Sequence, residues 1–313
     1  MINGALLSPP DERDYPASAA VDISGIEIPE DYEVWQPPVE NQGGAGNCVA
    51  QSLANIMECI AHVYGEEHKD YSVGFIFGSP MNTAEDGMYP REACDILLKQ
   101  GDVLREDWEC LFGSRLCKTL WQIQVTEEIK AKADKVMAYV RIHTKEEMQA
   151  FMLKYKIPVM LIAQSEAFHE GTEGSHATVC YGWISEETYR ADPEQYNDYN
   201  EGEYEDLLFT NSWGIGYHNN GRGACRFDEM EEIWGIVPME KIKLTDIQGR
   251  YSQSDIELCI NEGIIKGYED GTFRPTQNIT REESAVLMAR LIRKHNKEKK
   301  ALEERIAALE AKL

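Results

Sequence analysis

Residues 38–54 read PVENQGGAGNCVAQSLA. A glutamine, Gln42, and a glycine-loosened loop lead into one cysteine, Cys48, and a helical rhythm starts there. Val49, Leu53, Ile56, Met57, Ile60 and Val63 recur at helical spacing, with Asn47 placed as the N-cap. A thiol in the first turn faces free backbone N–H groups and the positive end of the helix dipole, which favour its anion and lower its pKa.

Downstream, helices are expected over 91–100 and 144–154. After Pro158 the texture turns to strands: VMLIAQ, HATVCYGW and DLLFTNSW. An acidic, tyrosine-bearing stretch between the last two reads as an exposed hairpin or loop. Helices first and strands second predict an α+β domain. His176 opens one strand, where an imidazole can face a cleft, and Asn211 ends another before a glycine-rich turn. Cysteine as nucleophile, histidine as base and asparagine as orienter of the imidazole is the logic of thiol acyl transfer. The side-chain amide of Gln42 then supplies an oxyanion donor beside the Cys48 backbone N–H.

The segments PPVENQGGAGNC, SHATVCYGW and NSWGIGYHNNGRGACRF resemble the nucleophile, histidine and asparagine segments of the papain-like cysteine peptidases, over roughly residues 35–235. The resemblance implies a two-lobed fold, one lobe helical and one β-rich. It makes Cys48 the nucleophile, His176 the general base, Asn211 the imidazole orienter and Gln42 the oxyanion donor. Trp213 would shield the His–Asn hydrogen bond from water. The sequence departs from the pattern at Val49, Ala45 and Ser175, and its first 37 residues are too short for the usual inhibitory prosegment.

Against 31 basic residues stand 55 acidic ones, a net charge of −24. Such a surface repels phosphate backbones and anionic headgroups, so nucleic acid is not an expected partner. No run of about 18 apolar residues occurs, which argues against membrane insertion. Eight cysteines fall at irregular spacings without a CxxC pair, which argues against structural zinc and a disulfide framework. No cofactor and no metal are expected. The N-terminus, MINGALLSPPDERDYPAS, shows no secretory signal.

From residue 244 the chain reads LTDIQGRYSQSDIELCINEGIIKGYEDGTFRPTQNITREESAVLMARLIR. A helix over 254–262, a stop at Gly263 and a DG turn are followed by a second helix, with Thr280 as N-cap and Glu283 as its capping-box partner. GIIKGYEDGTFRP and ITREE resemble one S-layer homology module. That resemblance implies binding of secondary cell-wall polysaccharide through Thr280, Arg281 and Glu282, where a guanidinium grips a carboxylate in two parallel bonds. The competing reading is that these residues only cap a helix. In the tail, Leu302, Ile306, Leu309 and Leu313 follow a coiled-coil seam; RIAALE resembles a three-stranded pattern, whereas Ile at a with Leu at d favours two strands.

The expected organisation is an extended segment (1–37) over the surface, a peptidase domain (38–238), a small helical S-layer homology module (244–293) and a coiled-coil helix (294–313). The expected function is hydrolysis of peptide bonds at a bacterial surface, extracellularly or on a phage, by a homo-oligomer, a trimer by one reading of the seam. With no signal visible, a cytoplasmic location stays among the expectations. The alternative is a non-catalytic surface or phage protein that uses the same scaffold for binding.

Overall fold

Helix α1 (Cys48–Val63) is enclosed nearly all round: Val49, Leu53 and Ile56 are fully buried, and the polar Gln51, Ser52 and Glu58 are nearly so. A helix wrapped in this way lies between two layers, with no solvent face of its own. Asn47 occupies the N-cap position, but its side chain makes no capping hydrogen bond, contrary to expectation. The computed structural model describes residues 4–11, 14–66, 69–79, 87–110, 114–169, 173–192, 204–239, 246–261, 264–265, 268 and 272–310. The chain divides into two units, Met1–Met239 and Glu240–Leu313.

On one side of α1 lie α2 (Val73–Gly78), α3 (Pro90–Lys99), α4 (Ser114–Gln124) and α5 (Glu127–Ala131). Ser72 caps α2 by accepting from Phe75 N–H at 3.0 Å, and a proline opens α3 where its missing N–H costs nothing. Phe75, Ile76, Phe77, Ile96 and Leu97 are fully buried among these helices. Each such side chain contributes about 1.5–3 kcal/mol of burial free energy.

On the other side is an antiparallel sheet. Its strands are β1 (Tyr32–Glu33), β2 (Val136–Ile142), β3 (Val159–Gln164), β4 (Ser175–Trp183), β5 (Leu207–Thr210), β6 (Arg222–Cys225) and β7 (Glu232–Pro238). They run in the order β2-β7-β3-β4-β5-β6, and β1 pairs with the far end of β4. Gly182 lets β1 approach, since a Cβ there would meet the Tyr32 carbonyl oxygen at 2.2 Å. Strands β3, β4 and β5 are apolar and buried on both faces, with α1 packed on β4. Helix α6 (Lys145–Tyr155), with the expected Thr144 start and a Thr144–Glu147 capping box, crosses between β2 and β3.

Two expectations need correction. The first 37 residues do not simply extend over the surface. Ala5, Ala17, Val21 and Val34 are buried, because the segment threads between packed elements. The acidic connector is not wholly a loop: Ser185 caps a short helix, α7 (Glu186–Ala191), whose Tyr189 is buried. Residues 193–203 of that connector lie outside the described residues.

All eight cysteines are unpaired thiols, seven of them buried. The second unit has a small core of Ile247 and Ile256, flanked by Ile260, Ile265 and Phe273. It contains α8 (Gln253–Asn261) and α9 (Arg281–Glu310). Asp246 ties the loop before α9 to the start of the unit, accepting from Phe273 N–H at 2.8 Å and Arg274 N–H at 2.7 Å. Helix α9 runs unbroken past residue 293, so the expected module and tail share one helix. The expected stop at Gly263, the DG turn and the seam residue Leu313 lie outside the described residues.

Candidate active site

Three backbone features converge on Cys48. Helix α1, which opens at Cys48, packs on β4, and the backbone N–H of Ala177, the residue after His176, favours the Cys48 thiolate. Strand β5 pairs with β4 through Val179↔Thr210, which brings the Asn211–Trp213 stretch alongside that same start. The loop before α1 pairs back on this stretch: Gln42 N–H donates to the Ser212 carbonyl at 2.7 Å, and Gly214 N–H to the Glu40 carbonyl at 2.9 Å.

The side chains follow. His176 Nε2 meets Asn211 Oδ1 at 3.0 Å, with both residues buried. Trp213 stacks on the imidazole, centroids 4.5 Å apart and planes 25° apart, and is itself buried. An indole in this place keeps water from competing for the His–Asn bond. Ser212 N–H also donates to Asn211 Oδ1, at 2.7 Å. That backbone group is a fixed donor, so the atom it meets is the amide oxygen. His176 must then carry its proton on Nε2, which leaves the Nδ1 lone pair as its base. Nδ1 is buried and makes no hydrogen bond.

Ser212 acts a second time. Its hydroxyl donates to Gln42 Oε1 at 2.6 Å, and Gln42 Nε2 donates one hydrogen to the Ala45 carbonyl at 3.0 Å. The Gln42 amide is thereby fixed with its oxygen turned to Ser212 and its NH2 toward the loop that enters α1. Reading the sequence assigns Gln42, Asn211, His176 and Trp213 to one place, and hydrogen bonds and ring contacts link these four residues through Ser212. It does not find Ser212, whose partner Gln42 is far off in the chain.

The N-terminal segment occupies the cleft. Gly4 N–H faces the Cys48 sulfur. Leu6 N–H donates to the Met88 carbonyl at 2.9 Å and Met88 N–H to the Gly4 carbonyl at 2.7 Å, a parallel bridge centred on Ala5. On the sheet side Ala5 N–H reaches the Ser175 carbonyl at 3.3 Å, and Ser8 N–H reaches Glu232 Oε1 at 2.6 Å. Residues 4–8 thus connect both lobes across the sulfur. Under this cover the expectation of a lowered thiol pKa does not hold. Burial pushes the Cys48 thiol up, outweighing the nearby backbone N–H groups, and pushes His176 down to about 4 despite the Asn211 bond. Both groups are neutral in this closed arrangement.

In the second unit Thr280 and Glu283 form the expected capping box, with Glu283 N–H to Thr280 Oγ1 at 3.1 Å and Thr280 N–H to Glu283 Oε2 at 2.7 Å. Thr280 is therefore committed to the cap, while Arg281 and Glu282 stand exposed. Glu282 and Glu283 line an open groove of about 560 Å³ with Tyr268, Phe273, Arg274 and Arg290. Arg274 lies over the Tyr268 ring, 3.9 Å from its centroid. Among the described residues no cluster of His, Cys, Asp or Glu could hold a metal ion, and no helix is long and apolar enough to cross a membrane.

Comparison with known proteins bears on both units. Residues 243–285 match the S-layer homology domain. This part is 48% identical over 50 residues to Outer membrane protein SlpA of Deinococcus radiodurans, covering 16% of this chain and 4% of that protein. It is equally 48% identical over 50 residues to the Cellulosome-anchoring protein of Acetivibrio thermocellus, covering 16% of this chain and 11% of that one. The chain thus spans only a small part of either relative.

Among solved structures, Xylellain, a cysteine protease from Xylella fastidiosa, is similar with a TM-score of 0.58 at 16% identity, over 76% of this chain and 96% of that one. ProCathepsin B from Trypanosoma congolense gives 0.55 at 13% identity, over 76% and 86%. These likenesses are of fold. The chain joins an α+β, papain-like fold to an S-layer homology module.

Proposed function

We propose that this protein is a cysteine endopeptidase held at a bacterial cell surface by its S-layer homology module. The observation that carries the reading is the buried His176–Asn211 bond under Trp213, on a strand that packs against the helix opened by Cys48. In the reaction Cys48 gives its proton to His176 Nδ1, and the thiolate attacks a peptide carbonyl. The resulting oxyanion accepts from the Cys48 backbone N–H and from Gln42 Nε2. His176 returns the proton to the leaving amine, and water then attacks the thioester with the same nitrogen as base. Asn211 keeps the imidazole in its Nε2–H tautomer throughout, and Trp213 keeps the bond dry. Substrate enters only after residues 4–8 leave the cleft.

The second unit would bind acidic secondary cell-wall polysaccharide, with Arg281 gripping a sugar carboxylate and Thr280 and Glu282 shaping the site. Self-association through the α9 seam, as a trimer or a dimer, would bring several such sites to one surface. The test is alkylation of Cys48 by iodoacetamide, together with peptide hydrolysis, in the full chain and in a form lacking residues 1–9. Labelling faster than a free thiol that is lost in His176→Ala supports the enzyme. Labelling no faster than a free thiol in both forms supports the scaffold reading instead.

A further inference from the structure

Asn211 is held from two sides. While its oxygen accepts from Ser212 N–H and faces His176, its Nδ2 lies 3.1 Å from Nε2 of a second histidine, His218. An amide nitrogen only donates, so His218 Nε2 must accept and be unprotonated. The one fixed hydrogen on Ser212 therefore sets both tautomers: proton on Nε2 for His176, lone pair on Nε2 for His218.

The rest of the site is built to hold that second ring. His218 sits at φ +51, a left-handed backbone that a non-glycine residue seldom adopts. Its ring meets Phe209 edge-on at 5.1 Å and lies nearly parallel to Trp213, 16° between planes. The titratable groups around it are His169, with ring centroids 5.5 Å apart, His176 on β4, and Tyr217 on its own turn, which packs on His169. Strands β5 and β6 present Phe209 and Gly223.

We propose that His218 is a positioning residue for the thiol reaction: by accepting from Asn211 Nδ2 it completes a His176–Asn211–His218 relay and keeps the amide oxygen on His176. The inference rests on the peptidase reading above. A proton on His218 Nε2 would set two donors against each other, and Asn211 would have to turn its oxygen away from His176. Burial, then the neighbouring His169 and His176, push His218 down to about 4, so the accepting form persists through the neutral range.

The test separates this role from a structural one. His218→Gly relieves the left-handed strain and removes the acceptor, whereas His218→Gln keeps an acceptor oxygen and leaves the strain. The relay expects His218→Gly to melt no lower than wild type, yet to lose about 10- to 100-fold in kcat on a peptide amide with KM little changed. His218→Gln should recover kcat to within about fivefold of wild type. Should the glycine variant fail to fold, His218→Phe, a ring with no acceptor, must show the same kcat loss.

Nitrogen-15 NMR of the His176 ring gives a readout apart from activity. The full chain and His218→Gln should show only the Nε2–H tautomer, and His218→Gly or His218→Phe a mixture. Unchanged kcat together with a single tautomer in His218→Gly overturns the proposal, as does His218→Gln behaving no better than His218→Gly. If the wild-type chain shows no His176-dependent reaction at Cys48, the peptidase reading fails. The tautomer measurement still decides whether His218 orients Asn211.

Discussion

Gly4 lies so close to Gly46 that a Cβ on it would fall 1.9 Å from the Gly46 carbonyl oxygen. The obstacle is backbone on the loop that leads into α1, so it cannot swing aside as a flexible side chain could. Gly4→Leu is therefore expected to drive residues 4–8 out of the cleft while the rest of the fold stands. Alkylation of Cys48 by iodoacetamide should speed up by at least about tenfold, as for an opened lid. A rate equal to that of wild type would show that the segment does not gate the sulfur.

The same variant should change the pH dependence of that reaction. In the closed chain burial raises the thiol pKa, so thiolate is scarce at neutral pH and labelling climbs only in alkali. Once water reaches the site, the thiol falls and the imidazole rises toward its ordinary value, and a thiolate–imidazolium pair forms by internal proton transfer. Gly4→Leu should then label almost evenly from about pH 5 to 8. Parallel pH profiles for the two proteins would refute this account.

Ser212→Ala removes the hydroxyl that orients Gln42 but keeps the backbone N–H that orients Asn211. The Gln42 oxygen, buried with its residue, loses this donor, at a cost of about 1–3 kcal/mol in stability. Turnover should fall by about tenfold with KM little changed, less than the 100- to 1,000-fold expected for Gln42→Ala, which removes the oxyanion donor itself. Steady-state kinetics and a denaturant melt check both halves.

Glu58, buried in α1, keeps its proton up to about pH 8, chiefly because burial disfavours its charge and then because Asp70 lies nearby. The unfolded chain loses that proton near the ordinary carboxylate value. Between the two, unfolding releases a proton, so stability falls as pH rises, by at most ~1.4 kcal/mol per unit. Glu58→Gln should flatten this slope, and the gap between its melting temperatures at pH 5 and pH 8 should be smaller than in wild type. An equal gap would place the proton elsewhere.

For the second unit, Thr280→Ala should cost about 1 kcal/mol through the lost cap of α9. Arg281→Ala, which leaves that cap intact, should keep the melting temperature and abolish co-sedimentation of the full chain with cell-wall sacculi. Retained co-sedimentation would leave Arg281 without a role in polysaccharide binding.

Much of the site was legible in the sequence because its signals are local. Cys48 announces itself by starting an apolar helix, and Thr280 by a capping box four residues long. The strand texture around His176 and Asn211 needs only a few neighbours to be recognised. Other features have no local signal. Ser212 looks like one residue of a turn until the ladder from Glu40 to Gln42 closes on it. His218 carries no helical or strand rhythm, and its meaning comes from a left-handed turn that aims its ring at Asn211. The Cys48 thiol illustrates the limit best. The helix N-terminus, readable in sequence, favours the anion, but burial of the sulfur reverses the sign.

Sequence alone determined which residue types stand at the ends of which elements, because helix starts, strand periods and caps depend on side chains within a few positions of one another. Only the tertiary structure decided which amide oxygen faces which imidazole, and what lies over the sulfur. Those choices depend on hydrogen bonds and burial between segments distant in the chain, which the local pattern of neither segment encodes.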